Sequence, residues 1–230
     1  MSYHVTGIIS TALYLLTLAG IYSQITVLSK RKEMVRNGAL PVGQVTAVLS
    51  LNQFSMSFLA FYSLLLFGAL LEPSDHYLVW PRILACLLVI VILYEIQCDR
   101  RDRLSLFIFG AASLSLVVAC TLLAVDLNLP FDASRLSQFL VLAVAITLLQ
   151  GYLHQIFLIL RRGYVGAVSL RMHQLLFAKD LSMVFFALAM GLTRGWPVLT
   201  LACSSALTKL ALFWAYWLVN RKGDDAVGTK

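Results

Sequence analysis

A chain of 230 residues that is 60% hydrophobic and only 13% charged, with mean hydropathy +0.85, is not an ordinary soluble domain, in which about a quarter of residues are charged. Its apolar runs approach the ~20 residues needed to cross a bilayer, and they recur too often for a soluble core to bury them. The formal net charge of +7 would suit nucleic acid, but the basic residues fall in short clusters between apolar runs, as in membrane loops.

Seven spans are expected in chain order, at 5–28, 48–71, 78–97, 104–127, 136–160, 169–192 and 197–219. The first lacks a basic leader and a small-residue cleavage site, so it reads as a retained helix rather than a signal peptide. Charge and turn residues mark loops at 30–43, 72–77, 99–103, 128–134, 161–166 and 193–195, and a polar, disordered tail is expected at 223–230. Cys86, Cys98, Cys120 and Cys203 lie in or beside apolar runs with no CxxC, and read as packing residues. Lys30, Arg31, Lys32 and Arg36 follow span 1, Arg100, Arg101 and Arg103 span 3, Arg161 and Arg162 span 5, and Arg221 and Lys222 span 7. The other side carries only Arg82, Arg135 and Arg194, with Glu72, Asp75, Asp126 and Asp132. The positive-inside rule then puts the N-terminus outside and the C-terminus in the cytoplasm. Trp80 and Trp196 fall at the outer boundary, and the prolines that follow them, Pro81 and Pro197, are expected in first helical turns.

The chain repeats itself. Superposing Gln24 on Gln155 brings Gly20 onto Gly151, Leu18 onto Leu149, Ile25 onto Ile156, Arg31 onto Arg162 and Lys30 onto Arg161. Trp80-Pro81 and Trp196-Pro197 form a second echo, each opening an apolar run that ends on basic residues. The expected fold is an all-α membrane protein of seven transmembrane helices in a three-plus-one-plus-three parallel repeat. The first triplet is 1–103, the linker helix 104–133 and the second triplet 134–222. Three crossings reverse direction, so a fourth is needed before a like-oriented triplet can follow. In transporters of this scheme, substrate lies between the halves near the midplane.

With Ser23-Gln24 and His154-Gln155, each followed by a basic cluster, the chain resembles the PQ-loop/SWEET group of seven-helix transporters. Members often carry Pro-Gln there; this chain keeps the glutamines and not the prolines, and has no proline inside spans 1, 2, 5 or 6. The resemblance implies alternating access between two halves. The facing asparagines of sugar-carrying members have no counterpart in spans 3 and 7, so sugar specificity is not implied.

Polar residues inside a bilayer are costly, and each needs a reason. Gln24 and Gln155 sit one turn after Gly20 and Gly151 on the same helical face, which suits either a packing contact or a gate. Asn52 and Gln53 fall near His173 and Gln174 under the repeat, close to the cytoplasmic ends. His154 reads as polar packing or a pH-sensitive group, and Glu95 as the partner of a nearby arginine. Lys179, Asp180 and Lys209 lie well inside spans. Asp180 and Lys209 have equal depth and are expected to pair, while Lys179, about 100° further round its helix, is expected to point elsewhere.

Taken together, the residues suggest an alternating-access transporter of a small polar or anionic solute, with proton coupling an open option. Asp180, Lys209, Lys179, Gln24, Gln155, Asn52, Gln53 and His173 are the candidate binding or coupling residues. A non-transporting receptor is the main alternative. A translocase of lipid or lipid-linked substrates ranks lower, as does a retinal protein, because only the helix-7 lysine is similar to microbial rhodopsins. No HExxH, GxSxG or glycine-rich phosphate loop is present, so no enzyme, cofactor or metal is expected. The expected partners are a small-molecule solute and the lipid bilayer, with no nucleic acid; a homo-oligomer is left open. The expected location is a membrane, the plasma (inner) membrane for a bacterial chain.

Overall fold

Each helix of this protein begins or ends where the local chemistry permits. In the computed structural model, which describes residues 3–47, 49–71, 74–124, 133–165 and 167–227, seven helices follow one another. They are α1 (Tyr3–Arg36), α2 (Leu51–Ala69), α3 (His76–Arg100), α4 (Arg103–Ala124), α5 (Ala133–Arg162), α6 (Leu170–Ala189) and α7 (Leu192–Val227). No strand occurs among the described residues. All seven helices are long and apolar enough to cross a membrane, the make-up of an integral multi-pass membrane protein.

Among the described residues, side chains start four of the helices. Ser50 accepts from Gln53 N at α2, Ser169 from Met172 N at α6, Asp75 from Tyr77 N and Leu78 N at α3, and Asp102 from Ser105 N at α4. Such caps satisfy donors that a helix start leaves unpaired, and each contributes ~1 kcal/mol. Gly191, at φ +83°, makes the reversal between α6 and α7 that a side chain would strain.

Several boundaries differ from expectation. The basic cluster after span 1 is not in a loop, because α1 continues to Arg36. There Lys32, rather than an arginine, pairs with Glu95 of α3. Residues 193–195 form the first turn of α7, with Arg194 N and Gly195 N both donating to Gly191 O. α7 also runs on to Val227, so residues 223–227 are helical rather than disordered; extending an established helix needs no new nucleus. Residues 228–230, and residues 128–132 of the loop expected at 128–134, lie outside the described residues, while 133 and 134 open α5.

The prolines are a further correction. Helices α3 and α7 start earlier than expected, at His76 and Leu192, which leaves Pro81 and Pro197 in the second turn. There a proline removes the N–H that would reach back four residues. For Pro81 the orphaned acceptor is the Tyr77 carbonyl, and Arg82 Nη1 donates to it at 2.8 Å. The adjacent arginine replaces the missing bond.

Packing grades the helices from centre to rim. The apolar stretch of α2 is 67% buried and that of α4 only 17%. Helix α1 lies against α6 and α3, α2 against α3 and α5, α7 against α5 and α6, and α4 against α3 and α2. One apolar core gathers around Tyr14, Ile21, Phe54 and Leu65, and a second around Val141, Leu148, Tyr152 and Phe186. Outward-facing Phe107, Leu114 and Val117 on α4, with Phe139, Ile146 and Leu153 on α5, are exposed. A soluble protein rarely shows so continuous an apolar face, whereas lipid would cover it without cost. All four cysteines are free thiols.

Candidate functional site

Helix α6 carries Lys179 and Asp180 about 15 Å along its axis from Leu170, and α7 brings Lys209 to the same level. Lys209 Nζ lies 2.8 Å from Asp180 Oδ2, as the depth argument expects. Lys179 was expected to point away, but its Nζ lies 2.5 Å from Asp180 Oδ1. The 100° step fixes the direction of a Cβ, not the reach of a lysine, whose four-carbon stem can curl back to its neighbour's carboxylate. The result is a Lys–Asp–Lys cluster. Ser205, one turn before Lys209, receives Nζ on its hydroxyl at 2.5 Å and on its carbonyl at 3.3 Å. The lysines also face aromatic rings: Lys209 Nζ is 5.0 Å from the Tyr152 centroid, and Lys179 Nζ is 5.5 Å from Tyr14.

All three charges are buried. They border a cavity of about 30 Å³ whose wall comes from α2, α5, α6 and α7, including Ser57, Phe61, Tyr152 and Ser205. That is room for one or two waters and for nothing larger. The bundle is closed over this point.

A third buried cation stands nearby, and sequence reasoning had placed it at the rim. Arg82 is fully buried, its guanidinium 4.4 Å from the Tyr14 centroid and Nη2 3.1 Å from Met183 Sδ. Met183 lines the cavity, so Arg82 touches a residue of its wall. Among the described residues no carboxylate lies within ion-pair distance of Arg82. The available signal was Pro81: the residue after an interior proline is well placed to serve the carbonyl that proline strands. Asp75 is also buried, but it is committed to capping α3 and accepting the Tyr3 hydroxyl at 2.6 Å. Among the described residues, three buried cations thus stand with one buried carboxylate, Asp180, that does not cap a helix.

His173 lies two turns from Asp180 toward the basic end of the bundle, fully buried and edge-on to Tyr152 at 5.9 Å. Among the described residues neither ring nitrogen has a hydrogen-bond partner. The same is true of Gln53 Oε1, Arg82 Nε and Tyr14 Oη, all buried. Unsatisfied buried polar atoms are rare, and a group of them in one bundle calls for an explanation.

The paired glutamines behave differently. Gln24 Nε2 donates to Ala167 O at 2.6 Å, and its Oε1 accepts from Ser169 N at 2.7 Å. Gln155 Oε1 accepts from Ser50 N at 2.7 Å. Each glutamine thus grips the backbone just before another helix, Gln24 before α6 and Gln155 before α2. One turn earlier Gly20 beds against α6, where a Cβ would come 3.3 Å from Met172 Cα. Gly151 beds against α2, where a Cβ would come 3.3 Å from Asn52 O. These glutamines are structural clamps and do not line the cavity.

Asn52 donates to Gln150 Oε1 at 2.8 Å, and His154 Nδ1 meets Ser50 Oγ at 2.7 Å. Gln53 makes a long contact to Ser57 Oγ at 3.5 Å. Asn52 and Gln53 lie in the first turn of α2, and His173 and Gln174 near the start of α6.

No family model, no curated protein and no solved structure matches this chain. The site is read from its own geometry.

Proposed function

We propose that the protein is an alternating-access transporter of a small anionic solute, bound at mid-bundle by Lys179 and Lys209 with Asp180 as the resident counter-charge. The observation that carries this reading is the excess of buried cations around a closed cavity. An unpaired charge in hydrocarbon costs at least ~2.5–3.5 kcal/mol, and such residues mark substrate or ion pathways. Without solute, Asp180 holds both ammonium groups. An incoming anion takes over one of them, and Arg82 behind Met183 adds attraction without direct contact. Because the cavity holds only a water or two, the solute enters by separation of packed helices.

The packing supports two like-oriented halves, α1–α3 and α5–α7, with α4 as the connecting crossing, as in the PQ-loop/SWEET scheme. Helix α1 lies on α6 as α5 lies on α2, and α2 on α3 as α6 on α7. Gln24 and Gln155 make the same grip on opposite halves. The seams between halves, α1–α6 and α2–α5, are then the surfaces that open alternately. Basic residues at the ends of α1, α3 and α5 support a cytoplasmic position for that end, with the N-terminus outside.

Uptake into proteoliposomes, from a panel of radiolabelled organic anions, inorganic phosphate and neutral analogues, with and without a pH gradient, tests the reading. Saturable uptake of an anion, lost in Lys209→Met and competed only by other anions, is expected. Uptake restricted to neutral or cationic solutes would overturn it. Cysteine labelling at Arg36 and Asp75 from the same side would overturn the topology.

A further inference from the structure

A second, much larger space lies away from the ion cluster. Between α2, α4 and α5, with the end of α3 behind, runs a groove of about 1040 Å³. This exceeds the ~300–1,000 Å³ of drug-sized pockets. One end is basic and polar: Arg100 ends α3, Arg162 ends α5, and His154 and Asn52 lie beside them. The rest is apolar, walled by Leu59, Phe107, Ile108 and Leu158, and it reaches Ser115 on α4.

The groove's length is informative. From Arg103, the first residue of α4, to Ser115 is about 18 Å along the helix. That is close to half of a ~30 Å hydrocarbon core, the depth of one leaflet. Access is lateral, because α4 packs against α3 and α2 and leaves a slot toward α5. The acidic residues nearest the basic end, Asp99 and Asp102, act on the Arg100 charge from outside the groove. Asp99 accepts from Thr46 N and Oγ1, Asp102 accepts from Ser105 N, and neither lines the groove. Arg100 gives one donor to Leu49 O at 2.5 Å and keeps its charge at the groove mouth.

We propose that this groove is a binding site for one anionic phospholipid of the leaflet at the basic end. Its phosphate sits between Arg100 and Arg162, and its acyl chains lie along α4 to the bilayer midplane. Charge complementarity selects the head group, and depth selects a leaflet lipid over a soluble anion. Basic pockets between transmembrane helices hold anionic head groups by the same electrostatics. A bound lipid also fills the slot between α4 and α5, joining the lightly packed α4 to the rest of the bundle. This site is independent of the solute site, which it does not touch.

Native mass spectrometry of the full chain, released from nanodiscs of mixed phosphatidylglycerol and phosphatidylcholine, reads the site directly. One retained phosphatidylglycerol per chain is expected, in preference to phosphatidylcholine. Arg162→Gln should lower its retention about fivefold, the effect of one basic residue at a membrane surface. Ala111→Trp, which fills the groove from α4, should remove the adduct whether or not the arginines are intact. Folded state is checked in each variant by thermal unfolding. Equal retention of both lipids, or adducts unchanged in both folded variants, would assign the lipid to the general annulus and overturn the proposal. Displacement by millimolar inorganic phosphate would overturn it in favour of a soluble anion. A lipid-free dimer lost on Ala111→Trp would give the groove to a second copy and overturn it as well.

Discussion

The glutamine clamps and the ion cluster are two answers to the same problem, a polar side chain where there is no water. Gln24 spends both ends of its amide on backbone atoms, donating to Ala167 O and accepting from Ser169 N. Neither polar atom of the amide is left without a partner, and the two helices are joined. The cluster is arranged the other way. Asp180 is shared by Lys179 and Lys209, and among the described residues Arg82 has no carboxylate within ion-pair distance and His173 has no partner at either nitrogen. A fully satisfied polar group is a joint. A group left wanting an anion or a proton is a candidate for function, because the surrounding fold must stabilise it at a cost.

The largest expected effect comes from removing the shared counter-charge. Asp180→Asn leaves two buried ammonium groups side by side, and breaking a buried pair in this way costs about 3–5 kcal/mol. It should appear as a loss of folded yield and a lower unfolding temperature in detergent. Lys209→Met leaves the neutral pair Lys179–Asp180 and should be milder. The triple change Asp180→Asn, Lys179→Met, Lys209→Met should recover most of the stability and none of the transport. A triple variant less stable than Asp180→Asn alone would show that the three charges are not coupled.

A smaller loss is expected at the clamps. Gln24→Leu strands Ala167 O and Ser169 N in the interior, and a buried unsatisfied group costs ~1–3 kcal/mol. Gln155→Leu strands Ser50 N in the same way. Thermal unfolding should fall for each, while the solute preference of whatever folded protein remains should be that of the parent chain. A changed preference in either variant would break the division between joint and site.

Much of the fold was legible because bilayer crossing is a constraint of length and apolarity, and seven runs met it. The Asp180–Lys209 pair was legible for a related reason: depth along a straight helix is arithmetic. What failed was lateral reach. Lys179 was assigned by the angle of its Cβ, and the flexible stem went the other way. Arg82 was counted among the charges of the outer side, and it is buried with a donor on the carbonyl that Pro81 frees, which charge counting does not register. The capping serines had a usable signal. Ser50-Leu51-Asn52-Gln53 has the serine-to-glutamine spacing of a capping box, and it marks the start of α2 at Leu51 where hydropathy alone suggested 48. The glutamine grips have no local signal, since their partners lie in the other half of the chain.

His173 sharpens the comparison by separating stability from function. Its ring packs against Tyr152 and forms no hydrogen bond, so His173→Phe keeps the aromatic contact and removes two unsatisfied atoms. Stability should rise or change by less than about 1 kcal/mol. Transport, or its dependence on a pH gradient, should be impaired. A destabilised His173→Phe variant with unchanged transport would make this residue another joint.

Outside the bilayer the problem disappears, and Asp102 provides the contrast. It lies between α3 and α4, exposed, and accepts from Ser105 N at 2.6 Å. That N–H donation, with a smaller contribution from Arg100, holds its carboxyl below the usual carboxylate range. A carboxyl whose folded-state value is lowered stabilises the fold at pH values above its unfolded value. That contribution is lost as pH falls through the lowered folded value. Water competes for both partners, so this is the smallest of the expected effects. Protection of the amides of the first turn of α4, measured relative to their intrinsic exchange rate at each pH, should fall below the ordinary carboxylate range in the parent chain. In Asp102→Ala it should be low already at pH 6 and insensitive to acid, with uptake unchanged. Equal protection of those amides at pH 6 in both proteins would mean that the cap is not what starts α4. The light packing of α4 on its neighbours would then have to account for its start.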